Sequence, residues 1–161
     1  FPGDGSIRVE VPNTTDLNPP AFYLEARVAP VLCGAGVFYP IVDTWDSNTG
    51  TGYTFYLEGE PGNVARPKLR MLGSTFAATA TVPANYDPTT NSGTWTRVGV
   101  SVNLSAGTGV FLINGNPAGS FTFAPPSTPS LLSPLALWIG AAHTHPTAMW
   151  CEIGLDEVFI Q

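Results

Sequence analysis

The sequence contains few charged residues, and almost none of them is lysine. Charged side chains make up 11% of the 161 residues, with 12 acidic and 6 basic ones, and Lys68 is the one lysine. A typical soluble domain carries about 25% charged residues. The net charge of −6 argues against nucleic-acid binding, for which proteins use a basic stripe. The surface must be covered by hydroxyl, amide and apolar groups, which suits contact with glycans or with other protein.

The sequence also lacks long apolar runs and helical periodicity. No segment reaches the roughly 18 consecutive apolar residues of a membrane-spanning helix, since the longest candidate, residues 131–142, contains Ser133 and Pro134. No window keeps a 3.6-residue period, so we expect no helix longer than a turn or two. The 17 glycines and 16 prolines are typical of short strands joined by turns. We therefore predict an all-β chain without membrane insertion.

The sequence does contain repeated alternation of apolar and polar side chains with a two-residue period. Residues 22–28 and 95–102 alternate apolar and polar side chains, the pattern of a strand with one buried and one wet face. Turn signals such as Asn114-Gly115 separate the runs. About eleven short strands predict one domain, residues 1–161, built as a two-sheet antiparallel jelly-roll sandwich. The predicted strands are 6–11, 22–28, 39–45, 53–58, 67–72, 75–82, 95–102, 109–114, 120–123, 135–141 and 150–160.

The two cysteines, Cys33 and Cys151, lie far apart in the sequence. If residues 22–28 pair antiparallel with the last strand, cross-strand partners have a constant sum of residue numbers, and Cys33–Cys151 and Tyr23–Gln161 both sum to 184. We therefore predict that these strands are neighbours and that a disulfide joins the cysteines in an oxidising compartment; two buried free thiols are the alternative. A start at Phe1 without Met suits a secreted or cell-surface protein after signal removal, and equally a trimmed chain.

Several motifs occur in the order found in one known group of domains. Residues 95–102 (WTRVGVSV) and 110–115 (VFLING) resemble the core of laminin G-like and pentraxin-like domains. Residues 4–12 (DGSIRVEVP) resemble the opening of these domains, and residues 154–160 (GLDEVFI) resemble their ending. The matches cover nearly the whole chain. The resemblance implies a concanavalin A-like, laminin G-like jelly roll, and it does not specify a ligand.

The chain lacks the carboxylate triplet of the catalytic members of this group. The related glucanases carry Glu-x-Asp-x-x-Glu on one strand, which aligns the carboxylates for double-displacement glycoside hydrolysis. The nearest approach is Glu58-Gly59-Glu60 before Pro61, which we interpret as a solvated turn. No nucleophile elbow or phosphate-binding glycine loop is present. We therefore predict that the domain is not an enzyme.

Calcium is the metal that the sequence favours, because this ion takes six to eight oxygen ligands from carboxylates and loop carbonyls. Asp43, Asp46 and Asn48 crowd one loop. The resemblance implies that Asp156, and more weakly Asp4, helps to hold a structural calcium ion. The metal candidates are therefore Asp4, Asp43 and Asp156; in the alternative, Asp156 only accepts hydrogen bonds from loop amides.

Aromatic side chains outside the core are candidate platforms for sugar rings. Trp138 has the opposite parity to Leu137 and Ile139, and Tyr56 opposes Phe55. We predict an extracellular, lectin-like carbohydrate-binding module. The alternative is a structural subunit that self-assembles into a filament, coat or adhesin, since few lysines protect the edge strands. The predicted ligand-binding residues are Trp45, Asp46, Asn48, Tyr53, Tyr56 and Trp138.

Overall fold

The computed structural model describes residues 8–14, 17, 19–32, 34–128, 131–143 and 151–161. No helix in these ranges is long and apolar enough to cross a membrane. The ranges contain twelve strands, one more than predicted, because the predicted strand 75–82 is two short strands. The strands are β1 (Val9–Val11), β2 (Ala21–Pro30), β3 (Phe38–Asp43), β4 (Tyr53–Glu60), β5 (Val64–Met71), β6 (Ser74–Ala77), β7 (Val82–Pro83), β8 (Thr96–Asn103), β9 (Thr108–Ile113), β10 (Asn116–Thr122), β11 (Leu137–Ile139) and β12 (Ile153–Ile160).

The strands form two antiparallel sheets that enclose the core. The larger sheet has the order β1-β11-β3-β4-β5-β6, with β7 beside β5, and the smaller one has the order β10-β9-β8-β2-β12. Alternate residues of each strand face inward; in β4, for example, Tyr53, Phe55 and Leu57 are each at most 2% exposed. The predicted all-β jelly-roll sandwich is confirmed.

Each sheet also has an outer face, which carries the residues between the core positions. In β4 these are Thr54, Tyr56 and Glu58, since Phe55 and Leu57 belong to the core. In β2 they are Tyr23 and Glu25, with Arg27 continuing the row, because Leu24 and Ala26 are buried. The residues between the core positions therefore cover two separate surfaces, the outer face of the larger sheet and the outer face of the smaller sheet.

The pairing of β2 with β12 confirms that the first long strand lies beside the last. Tyr23 and Gln161 exchange backbone hydrogen bonds of 2.8 and 3.0 Å, as the constant sum predicts. A β-bulge between Asp156 and Phe159 then shifts the register by one residue, and Glu157 in the bulge has a φ of 47°. The predicted register is therefore wrong beyond the bulge, because alternation in the sequence does not show where a strand takes an extra residue.

Cys151 lies just before β12, where it is 8% exposed. Its backbone N–H donates to the carbonyl oxygen of Phe38 at 2.9 Å. Cys33 lies outside the described residues, so the disulfide with Cys151 stays a prediction. A thiol reagent should find no free thiol in the denatured, unreduced protein; two thiols per chain would support the alternative.

Candidate functional site

Three of the aromatic residues predicted as sugar platforms are buried. Trp45 is 3% exposed, Tyr53 is 2% exposed and Tyr56 is 5% exposed. Tyr53 belongs to the core, where it stacks on Phe22 with ring centroids 5.2 Å apart. The predicted exposure of these three side chains is therefore wrong.

Neighbouring long side chains cover Trp45 and Tyr56. The guanidinium carbon of Arg70 lies 4.5 Å from the centroid of the Trp45 ring. The Phe38 ring lies 5.1 Å from the Tyr56 ring, and burial, followed by the charge of Glu58, raises the pKa of Tyr56 to about 12. Strand parity places Tyr56 on the outer face correctly, but the side chains of adjacent strands decide whether a sugar can reach it.

Asp43 is a buried carboxylate whose oxygens accept hydrogen bonds from the protein. Its Oδ1 accepts from the Thr54 hydroxyl and from the Trp45 backbone N–H at 3.3 Å. Its Oδ2 accepts from the His143 backbone N–H at 2.6 Å. Burial raises the pKa of Asp43, and the bonds from His143 and Thr54 partly oppose that rise. The carboxylate is therefore used to join β3, β4 and the segment that follows β11.

The predicted calcium ligands are not brought together. Asp43 lies on the outer face of the larger sheet, whereas Asp156 pairs with Arg27 in the smaller sheet. Asp156 is exposed, and its Oδ1 accepts the Glu157 backbone N–H at 2.9 Å. Asp4 lies outside the described residues, and the described ranges contain no group of three His, Cys, Asp or Glu residues suited to a metal. Asp43 and Asp156 therefore do not lie in one site, and calcium binding at Asp4, Asp43 or Asp156 stays a prediction.

Asp46 and Asn48 form a turn. Asp46 accepts hydrogen bonds from the Asn48 backbone N–H at 2.9 Å and from the Thr49 hydroxyl at 2.8 Å. These bonds, the one from Asn48 first, lower the pKa of Asp46. Asx turns of this kind explain why acidic and amide residues gather in a loop without a ligand. Asn48 is exposed, and a role in ligand binding stays a prediction for both residues.

Trp138 lies on the outer face of the larger sheet, as its parity predicts, and is half-buried. It pairs with Asp43 across β11 and β3. The His143 ring stacks on the Trp138 ring with ring centroids 3.6 Å apart, and the Arg8 guanidinium carbon lies 4.0 Å from the Trp138 ring centroid. Its Nε1 donates to Glu10 at 3.2 Å. The ring is thus engaged by protein groups, and its ligand-binding role stays a prediction.

Glu58 and Glu60 lie on one face of β4, so the interpretation of Glu58-Gly59-Glu60 as a solvated turn is wrong. Glu58 forms a 2.6 Å ion pair with Lys68, and Glu60 forms a 2.5 Å ion pair with Arg66. The hydrogen bond from Arg66 lowers the pKa of Glu60. A glycosidase acid needs a raised pKa, and the pKa of Glu60 is shifted in the opposite direction.

A groove crosses the outer face of the smaller sheet. Its larger part has a volume of 330 Å³, and a second part of 200 Å³ adjoins it at Ser101 and Asn103. We refer to the whole as the β2–β8 groove, because Tyr23 and Ala21 of β2 face Ser101 and Asn103 of β8. Ala21, Phe22, Tyr23, Ser101, Val102, Asn103 and Gln161 line the larger part, and Ser101, Asn103, Thr108, Gly109 and Val110 line the smaller.

The lining of the groove offers hydroxyl, amide and aromatic groups, and it includes no charged side chain. The Tyr23 hydroxyl donates to Glu25, and burial, followed by that bond, raises the pKa of Tyr23 to about 12. The Asn103 Oδ1 accepts the Ala106 backbone N–H at 2.9 Å, which leaves the amide NH₂ as a donor. Phe159, 49% exposed, lies beside the Tyr23 ring at 6.3 Å.

The sequence analysis missed this groove. Tyr23, Ser101 and Asn103 appear in the sequence only as the polar half of alternating strands, which does not separate a groove from any wet face. The constant sum that pairs Tyr23 with Gln161 was the one signal that could have placed two lining residues together.

The fold is similar to those of several solved structures. A heptameric SAP-like pentraxin from Limulus polyphemus aligns with a TM-score of 0.68 at 14% identity, over 99% of this chain and 73% of that one. Mouse laminin α1 domains LG4-5 align with 0.60 at 13%, over 99% and 40%. Carbohydrate binding module CBM66 from Bacillus subtilis aligns with 0.50 at 8%, over 89% and 76%. No protein-family model matches the chain, and no curated protein matches it by sequence. The chain therefore has the concanavalin A-like jelly-roll fold that pentraxin and laminin G domains share.

Proposed function

We propose that the chain is a non-catalytic, extracellular carbohydrate-binding module that holds a neutral saccharide in the β2–β8 groove. The lining of the groove, which has no charged side chain and combines aromatic and aliphatic groups with hydroxyl and amide groups, carries this proposal. The larger part, at 330 Å³, falls at the lower end of the roughly 300–1,000 Å³ of ligand sites. This volume suits one or two sugar units, and the rest of the saccharide would lie on the sheet.

The chemistry of the groove matches that of a sugar ring. The apolar C–H face of a pyranose packs against an aromatic ring such as Tyr23, and its hydroxyl groups exchange hydrogen bonds with Ser101, Asn103 and Gln161. An anionic sugar is disfavoured because Glu25 adjoins Tyr23 and the chain carries a net charge of −6. The carbohydrate binding module among the similar structures supports a sugar ligand by its name.

Filling the groove should abolish saccharide binding. In Ser101→Trp, the indole would occupy the space where the two parts of the groove meet, so affinity for any neutral glycan bound by the wild type should fall by at least about tenfold. A glycan array with neutral and acidic oligosaccharides identifies the ligand, and isothermal titration measures the loss.

The matched control is Ser47→Trp, an exposed serine in the turn after β3. This variant should bind the ligand as the wild type does. An array without neutral ligands, or full binding by Ser101→Trp, contradicts the proposal.

Self-assembly through the edges of the smaller sheet is the less well supported function. Edge strand β10 carries Pro117 and a bulge between Pro117 and Gly119. Edge strand β12 carries a bulge and two acidic residues, Asp156 and Glu157. These features hinder the addition of another strand. Light scattering at high concentration separates the two functions, since a monomer supports the binding module and growing particles support assembly.

A further inference from the structure

The Tyr23 ring leans away from the residue that it faces. Tyr23 pairs with Ser101, but its phenol reaches the next cross-strand row, where Glu25 pairs with Gly99. A Cβ atom on Gly99 would lie 3.1 Å from the Tyr23 hydroxyl oxygen and 3.4 Å from its Cε2. The ring therefore lies over Gly99, and the space above Ser101 stays open.

A hydrogen bond to Glu25 holds the ring in this position, and Glu25 in turn pairs with Arg97. The Tyr23 hydroxyl donates to Glu25 Oε2, and Glu25 Oε1 lies 3.3 Å from Nε of Arg97. Arg97 lies on β8 two residues before Gly99, and its backbone N–H donates to Asn114 Oδ1 at 3.0 Å. Asn114 lies in the turn after β9, and the Arg97 side chain is 51% exposed. The hydrogen bond to Glu25 is therefore the contact that holds the phenol over Gly99 from one side.

Backbone geometry does not require a glycine at position 99. Its φ lies outside the left-handed region, and it occupies the middle of β8 between the buried Val98 and Val100. Glycine in the interior of a strand is destabilising relative to other residues. A glycine at this position therefore has a local cost, and it leaves room for two neighbours that a Cβ atom would approach, the Leu24 carbonyl oxygen at 3.0 Å and the Tyr23 ring.

We infer that Gly99 and Glu25 are positioning residues that set the width of the β2–β8 groove through Tyr23. The identity of the ligand in this inference rests on the proposed function, whereas the position of the Tyr23 ring does not. With a larger residue at 99, the phenol moves back over Ser101 and narrows the groove where its two parts meet.

The test compares Gly99→Ala with the wild type in two ways. In a Ser101→Cys background, reaction of the cysteine with methyl methanethiosulfonate measures access to the groove, and adding Gly99→Ala should lower the rate about fivefold or more. The affinity for a neutral oligosaccharide selected on the array should fall about tenfold. The Tm should change little, because the better strand propensity of alanine offsets the approach of its Cβ atom to the Leu24 carbonyl oxygen at 3.0 Å. Unchanged labelling, or loss of binding only together with loss of Tm, overturns the inference.

Gly154→Ala is the matched control. Gly154 pairs with Ala29 at the far end of β2, and its Cβ would lie 2.9 Å from Cη2 of Trp95. This variant should change tryptophan fluorescence and leave labelling at position 101 unchanged. If it slows labelling as much as Gly99→Ala does, the inference is wrong.

Glu25 variants test the second positioning contact. Glu25→Gln keeps an oxygen acceptor for the Tyr23 hydroxyl, so labelling and binding should stay near wild type. Glu25→Ala releases the phenol, and labelling should slow. Equal effects of the two variants contradict the role of this contact. The labelling needs no saccharide, so a wild type that binds no glycan refutes the proposed function while Gly99 and Glu25 are still tested.

Discussion

Replacing Asp43 by alanine should lower the free energy of unfolding by about 3 kcal/mol at neutral pH. Asp43 is 0% exposed, and its carboxylate accepts hydrogen bonds from the Thr54 hydroxyl and from the backbone N–H groups of Trp45 and His143. Without the carboxylate, three donors in a site closed to water lose their acceptor. Urea denaturation monitored by circular dichroism measures the change.

Asp87→Ala is the control for this prediction. Asp87 accepts hydrogen bonds from the backbone N–H and the hydroxyl of Thr89, at 2.8 and 2.7 Å, but it lies in an exposed turn where water replaces the lost partner. Its loss should destabilise the protein much less than the loss of Asp43. Equal destabilisation by the two substitutions would show that burial does not set the cost.

The raised pKa of Asp43 also makes its contribution to the free energy of unfolding depend on pH. Burial raises the pKa of the folded carboxyl above the unfolded value of about 3.9, so between these values the folded state binds more protons than the unfolded state. The stability that protonation of Asp43 contributes is complete below the unfolded pKa and is lost as the pH rises through the folded pKa. The wild type should therefore lose stability relative to Asp43→Asn as the pH rises from about 4. Parallel stability profiles contradict this assignment.

Tyr23→Ala should reduce saccharide affinity by more than tenfold, about 1.4 kcal/mol or more. The substitution removes the aromatic face that packs on the sugar ring and one wall of the groove. Tyr23 is half-buried on the outer face, so the core stays intact and circular dichroism should be unchanged. Isothermal titration with the array-selected oligosaccharide measures the loss.

Two further tyrosine variants sharpen this prediction. Tyr23→Phe keeps the ring but removes its hydrogen bond to Glu25, so an intermediate affinity is expected. Tyr86→Ala is the control, because Tyr86 lies in a loop outside the groove, where its hydroxyl donates to Asn91 at 2.7 Å. Wild-type affinity in Tyr23→Ala would place the saccharide elsewhere.

The sequence was sufficient for most of the strands and, away from the bulge in β12, for the face that most of their residues occupy. Alternation predicts the outward position of Trp138 and the core positions of Phe55 and Leu57, because a strand has a strict two-residue period. The period does not report coverage by other strands, so it predicts an exposed Tyr56 where the Phe38 ring lies against it. Local pattern and surface access are thus separate properties.

The groove could not be predicted because it depends on contacts between strands that are distant in the sequence. Tyr23 and Ser101 become neighbours only when β2 pairs with β8. The lean of the Tyr23 ring depends on the missing side chain at Gly99 and on the hydrogen bond from its hydroxyl to Glu25. In the sequence, a glycine within a strand indicates only a destabilising position. That it leaves room for the Tyr23 ring becomes clear only once the ring is seen to lie above it.

The bulge in β12 decides which residues of the last strand reach the groove. Before the bulge, Asp156 faces outward, and strict alternation would next turn Val158 and Ile160 outward. The extra residue reverses that order, so Phe159 and Gln161 face outward beside Tyr23 while Val158 and Ile160 pack against the core. If the same residues paired without the bulge, the two sets would exchange, and two aliphatic side chains would replace an amide and an aromatic ring at the groove. Deletion of the extra residue would instead remove the bulge and keep Phe159 and Gln161 outward. The bulge is thus part of what sets the chemistry of this surface.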